Sequence, residues 1–105
     1  MKRPGIKRVD FFNILFPFKL METVSTLLEL RLSSCKILTQ ECLQIASSPI
    51  AQSLRSLDLS CNPIKLQGLL NLLDPRVSQL RFLRKLELFY CSIVGALQFE
   101  SLSMD

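Results

Sequence analysis

At 105 residues with 49% apolar side chains, the chain is one domain or part of one, with enough apolar material for a core; that excludes a disordered tail. Four of its 13 basic residues, Lys2, Arg3, Lys7 and Arg8, fall in the first eight positions, and the remaining nine balance the nine acidic ones, so the net +4 belongs to the leader. A nucleic-acid partner calls for an excess on one folded face or stripe, which this distribution disfavours.

Residues 1–8 read as a flexible basic leader. Residues 9–26 read as an N-terminal cap or a degenerate repeat. Ile6, Val9 and Phe11 fit a strand frame loosely, while Phe11, Phe12, Ile14, Leu15, Phe16 and Phe18 are suited to covering an open apolar end. The longest uncharged apolar run, Phe11 to Phe18, is far short of the roughly 20 residues a membrane span requires. Asp10 and Lys19 bracket that run and no small-residue cleavage site follows, which argues against a signal peptide. Pro17 suits the first turn of a short helix reaching about Thr26, with Leu20, Met21 and Val24 turned inward.

From residue 27 to 105 the chain repeats itself. LLELRLSSCKI places Leu27, Leu30, Leu32, Cys35 and Ile37 in a frame that returns as LRSLDLSCNPI, with Leu54, Leu57, Leu59, Asn62 and Ile64. It returns again as LRKLELFYCSI, with Leu83, Leu86, Leu88, Cys91 and Ile93; the copies start 27 and 29 residues apart. A period of this size predicts stacked units of one strand and one helix. The first unit is expected as a strand over Leu28 to Ser33 and a helix N-capped by Thr39, with Cys42, Ile45 and Ala46 as the core stripe and Pro49 closing it. The second has a strand over Ser56 to Ser60, a turn at Asn62 and Pro63, and a helix over Gln67 to Leu73 stopped by Asp74–Pro75. Leu69, Leu70, Leu72 and Leu73 are its expected buried face, with Val77 and Leu80 plugging the return. The third has a strand over Lys85 to Phe89 and a helix over Gly95 to Leu102 that ends with the chain. A solenoid needs polar caps at both ends. An uncapped C-terminal edge is therefore expected to dimerise, to be covered by a partner, or to mark a truncated form of a longer protein.

The alternation of Cys35, Asn62 and Cys91 in one slot resembles the ribonuclease-inhibitor-like leucine-rich repeats, where L-x-x-L-x-L-x-x-C and the same frame with N alternate. The Cys-type continuation C-x-L-T-x-x-x-C is met by Cys35, Thr39 and Cys42, with Thr one place late. The Asn-type continuation N-x-L-G-D-x-G is met by Asn62, Ile64 and Gly68, with Lys65 and Leu66 in place of Gly-Asp. The third copy keeps Cys91 and Ile93 and then departs, with Val94–Gly95 where Leu-Thr is expected. Ribonuclease inhibitors, NOD-like receptors, tonsoku-like scaffolds and PRAME-type ligase receptors carry such arrays. The resemblance implies an α/β solenoid, a short horseshoe segment with parallel strands on the concave side and helices on the convex side. It implies intracellular protein binding, as a fragment of a scaffold, receptor or ubiquitin-ligase adaptor. The alternative is a truncated product with no binding role of its own, or one that associates with longer relatives through its uncapped edge.

Strand side chains alternate, so the residues between the core leucines line the concave face. Parallel stacking gives the rows Glu29–Ser56–Lys85, Arg31–Asp58–Glu87 and Ser33–Ser60–Phe89. Arg31 is placed to pair with Asp58, while Asp58 and Glu87 are like-charged neighbours that repel unless a cation lies over them. Phe89 and Tyr90 are aromatic anchors on an otherwise polar face. The expected partner-binding set is Glu29, Arg31, Asp58, Lys85, Glu87, Phe89 and Tyr90. Arg76, Arg81, Arg84 and Lys85 read as a solvated basic rim, with an acidic partner or nucleic acid as the alternative. No cofactor, metal or catalytic group is expected: there is no histidine, no C-x-x-C pair and no convergent set of titratable groups. Cys35, Cys42 and Cys91 read as buried free thiols and Cys61 as a residue near the rim, a usage that suits the cytoplasm or nucleus.

Overall fold

The computed structural model describes residues 7–13, 26–93 and 101–103. Strands β1 (Arg8–Phe12), β2 (Glu29–Ser33), β3 (Ser56–Asp58), β4 (Lys85–Glu87) and β5 (Ser101–Ser103) form one sheet in chain order. Neighbours among β1 to β4 run parallel, and β5 runs antiparallel to β4. Helices α1 (Thr39–Ser47) and α2 (Lys65–Leu73) form the return paths, with a 3₁₀ turn at Pro49–Gln52 after α1.

The register turns the leucine frame into a core. Leu30 lies beside Leu57 and Leu57 beside Leu86, all fully buried. Ile37, Ile64 and Ile93 enclose the same interior from the turns. Each such side chain contributes about 1.5–3 kcal/mol by leaving water. From the helices come Cys42, Ile45 and Ala46 of α1 and Gly68, Leu69 and Leu72 of α2.

Asn62 ties consecutive turns together. It is fully buried, and its Oδ1 accepts the N–H groups of Cys35 (2.9 Å) and Ile37 (3.0 Å). Its Nδ2 donates to the carbonyls of Leu32 (2.7 Å), Leu59 (2.9 Å) and Ser60 (3.1 Å). Curved turns leave main-chain groups without ladder partners, and the two-sided amide supplies them. The cysteines in the same slot do less: Cys35 Sγ donates to Phe11 C=O (3.4 Å) and Cys91 Sγ to Leu59 C=O (3.1 Å). Phe11 pairs with Leu32 in register, so each slot residue reaches the equivalent carbonyl one strand back. The residue before each slot has a positive φ, at Ser34 (53°), Cys61 (60°) and Tyr90 (55°), and so does Asn13 (57°) at the matching place after β1.

Several expectations change in three dimensions. Arg8, given above to the leader, belongs to β1, whose Val9 and Phe11 pack against the core. The rest of the leader, residues 14–25 with the helix expected after Pro17, and residues 94–100 lie outside the described residues. Ser101 and Leu102, expected at the end of a helix, lie in β5. The edge of β4 is consequently paired through Lys85–Ser103, Leu86–Leu102 and Glu87–Ser101, not left open for association as expected. A paired edge no longer offers a row of free main-chain groups.

Thr39 is the first helical residue, not the N-cap. Leu38 holds that place, its N–H bonded by Glu41 (2.8 Å), and the Thr39 hydroxyl donates to Ile64 C=O (3.0 Å) in the next turn. Strand β3 stops at Asp58 because the Asp58 carboxylate takes the Ser60 N–H (2.9 Å); β4 stops at Glu87, and the Phe89 N–H goes to the Ser60 hydroxyl (3.1 Å). On α2, Leu70 and Leu73 are exposed where burial was expected, because the face carrying Gly68, Leu69 and Leu72 is the one that meets α1 and the sheet. Val77 is exposed as well, while Leu80 packs on the core.

Helix α2 starts two residues earlier than expected, at Lys65, whose φ is +63°. The resembling repeats place glycine at this position, and a side chain in left-handed backbone costs about 1–2 kcal/mol. Part of the relief is returned as chain entropy in the unfolded state, about 0.5–1 kcal/mol. Lys65→Gly is therefore expected to stabilise the protein by about 0.5 kcal/mol, raising the melting midpoint by about 2–4 °C. A lower midpoint in a calorimetric scan would show that the lysine side chain contributes more than its backbone strain takes away.

Candidate protein-binding face

The side chains between the core leucines stand on the concave face in rungs. The first rung is Arg8–Glu29–Ser56–Lys85 and the second Asp10–Arg31–Asp58–Glu87. In the third, Phe12 pairs with Ser33, and Ser60 and Phe89 stand at the matching places after β3 and β4. Six of the seven residues expected from the sequence, Glu29, Arg31, Asp58, Lys85, Glu87 and Phe89, stand on these rungs, and Tyr90 lies in the turn that follows, at positive φ. Strand β1 adds Arg8, Asp10 and Phe12, which sequence reasoning did not include. Their signal was the inward pair Val9 and Phe11, which obliges the residues on either side to face out.

Charges on the face neutralise one another. Arg31 Nε meets Asp58 Oδ2 at 3.4 Å and Arg31 Nη1 meets Asp10 Oδ2 at 4.0 Å. Arg8 reaches Asp10 (3.6 Å) and Glu29 (3.8 Å), and Lys85 Nζ meets Glu87 Oε1 at 2.7 Å. The repulsion expected between Asp58 and Glu87 is thereby relieved by a cation on each. The hydrogen bond and charge of Glu87 hold the Lys85 ammonium above its ordinary pKa. Asp58 is the buried member, 4% exposed, and both its oxygens are bonded, one to the Ser60 N–H and one to Arg31. Exposed pairs of this kind contribute about 0–1 kcal/mol each, so the lattice sets orientation more than stability.

What the lattice leaves unsatisfied is apolar. Phe12 is 69% exposed and Phe89 38%, on the rung beyond the charges with Ser33 and Ser60 between them, and Tyr90, in the turn after Phe89, is 86% exposed. Large rings bordered by small hydroxyls and paired charges make a surface that gains by covering its rings without stranding a charge.

Residues 51–73, from the end of the 3₁₀ turn through β3, the Asn62 turn and α2, match the family model described as Leucine Rich repeat. The fold is a short leucine-rich repeat solenoid. No curated protein and no solved structure matches the chain. Leucine-rich repeats generally mediate protein–protein interaction and are typically non-enzymatic.

Burial pushes the Cys42 thiol up to about 12, helped by Cys91 and Glu41, and burial pushes Cys91 up to about 11. Both are neutral near pH 7, and the thiol is a poor nucleophile and ligand compared with the thiolate. Cys61 is exposed. The chain contains no histidine to activate it. Among the described residues no group of three His, Cys, Asp or Glu side chains converges as a metal site, and no helix is long and apolar enough to cross a membrane.

The basic rim expected from the sequence divides. Arg76 is held by Asp74 through Nε (3.1 Å) and Nη2 (3.0 Å), and Lys85 by Glu87, whereas Arg81 and Arg84 have no carboxylate partner among the described residues.

Proposed function

We propose that the chain is an intracellular interaction module that docks a protein on its concave sheet, with Glu29, Arg31, Asp58, Lys85 and Glu87 setting orientation and Phe89 and Tyr90 as anchors. The observation that carries this reading is the exposure of Phe89 and Tyr90 beside a lattice whose charges are already paired. A partner that covers the rings strands no charge, and steering by the alternating lattice favours one orientation. The buried thiols of Cys35, Cys42 and Cys91 suit a reducing compartment, cytoplasm or nucleus. The shared slot of Cys35, Asn62 and Cys91, each reaching one strand back, supports the ribonuclease-inhibitor-like subtype.

A pull-down from cytosolic and nuclear lysate tests the reading, comparing the native chain with Glu87→Arg, Phe89→Ser of matched circular dichroism. The expected result is a protein retained by the native chain and lost by the variant. Identical lists from the two, dominated by chaperones, would remove the concave face as a docking surface.

A further inference from the structure

The entries to the strands form a rung of their own, outside the concave face. Lys7, Leu28, Arg55 and Arg84 each precede a strand by one residue. The main chain links them in series: Leu28 N–H to Lys7 C=O, Arg55 N–H to Leu28 C=O and Arg84 N–H to Arg55 C=O, each 2.8 Å. Arg55 and Arg84 are therefore neighbours, with backbones about 5 Å apart as in any adjacent pair of strands. Both are exposed, and neither lies within ion-pair distance of a carboxylate among the described residues. Two arginines on adjacent strand entries with no counter-ion repel each other, whereas Arg8, Arg31, Arg76 and Lys85 are paired; Arg81, the other unpaired arginine among the described residues, is not on this rung.

Exposed Phe82 lies under one of them, its ring centroid 5.6 Å from Arg55 Cζ. A guanidinium lying over a ring is held in place by the ring's quadrupole. Its N–H donors remain free to take a carboxylate in a two-point bond.

We propose that Arg55, Phe82 and Arg84 are a second docking surface, on the rim where the strands begin, for an acidic segment of a protein. Two neighbouring carboxylates of that segment bond the two guanidiniums, and an apolar side chain beside them covers Phe82. Acidic residues three or four apart on a helix stand about 5–6 Å from each other, which matches the backbone spacing of the two arginines. A nucleic-acid strand fits less well, because it needs a basic groove that follows the backbone. Here the next rung on the sheet side is Arg8–Glu29–Ser56–Lys85, whose cations are paired with Glu29 and with Glu87, and Asp74 lies with Arg76. The rim goes beyond the concave-face reading and stands or falls independently of it.

Fluorescence anisotropy on the full chain tests it with a labelled helical peptide of about twelve residues carrying Glu at i and i+4 beside Leu. Binding is expected to weaken as salt is raised, and Arg55→Gln, Arg84→Gln is expected to lose about tenfold or more in affinity, as for charge-assisted pairs. Arg76→Gln, whose native side chain is already held by Asp74, is expected to bind as the native chain does. The same peptide with Lys for Glu, offered to the native chain, is expected not to bind, a readout that needs no variant to fold. No binding of the acidic peptide by the folded native chain overturns the proposal, as does unchanged affinity in a double variant with a native melting curve. Tighter binding of a single-stranded DNA of matched charge overturns it too, since the rim would then be a phosphate surface.

Discussion

Asn62→Ala is expected to bring the protein close to unfolding at room temperature. The substitution removes five hydrogen bonds from a side chain with no exposed surface. The N–H groups of Cys35 and Ile37 lose their acceptor inside the core, and each buried orphan costs about 1–3 kcal/mol. Adding the carbonyls of Leu32, Leu59 and Ser60 puts the total at about 4 kcal/mol or more, against about 5–15 kcal/mol for a whole domain of this size. Asn62→Cys should fall between the two, because a thiol in this slot donates to the carbonyl one strand back, as Cys35 and Cys91 do, but accepts poorly from the two N–H groups. Urea titrations of the three proteins decide it. A loss below about 1 kcal/mol in the alanine variant would mean that water reaches the turn and replaces the amide.

The second large effect is expected at Gly68. A Cβ placed there meets Ile64 Cβ at 2.8 Å and Cys42 Sγ at 3.2 Å. Ile64 is the N-cap of α2 and its Cβ is fixed to the backbone, so the first turn of α2 must distort, while the Cys42 thiol of α1 must also give way. Glycine in a helix interior is itself unfavourable by about 0.5–1 kcal/mol, so the substitution brings two opposing terms. For Gly68→Val the two methyl groups on that Cβ add overpacking of about 1–3 kcal/mol, joined by the low helix preference of a β-branched residue, and destabilisation wins. The melting midpoint should fall by about 8–16 °C for a loss of about 2 kcal/mol. Gly68→Ala combined with Cys42→Ala should recover part of the loss of Gly68→Ala, since the thiol contact disappears while the Ile64 contact remains. Full additivity of that pair in calorimetry would show that the helices do not meet where the structure places them.

The repeat unit was legible because its signals are local. The leucines of each L-x-x-L-x-L frame alternate with a period of two, and that alternation alone assigns Leu30, Leu57 and Leu86 to the core and Glu29, Arg31, Asp58 and Glu87 to the face. The Arg31–Asp58 pair followed from aligning two copies, since parallel register simply carries the alignment into space. Thr39 could not be read in the same way. A hydroxyl before a helical stripe is a capping signal in the sequence, but here the carbonyl of Ile64, 25 residues on, competes for it and wins.

From the residues alone follow the period, the inward and outward sides of β2, β3 and β4, the cysteine–asparagine slot and the match of Gly68 to the resembling motif. These depend on neighbours within a few positions, where chain geometry leaves little choice. Tertiary packing alone decided that Arg8 to Phe12 extends the sheet, that β5 reverses to pair the edge of β4, and that Leu70 and Leu73 face outward. It alone laid Arg55 over Phe82 and left Arg55 and Arg84 without a carboxylate among the described residues. Each of these outcomes is a choice among distant partners for the same main-chain or side-chain group, and only the assembled register determines which partner is within reach.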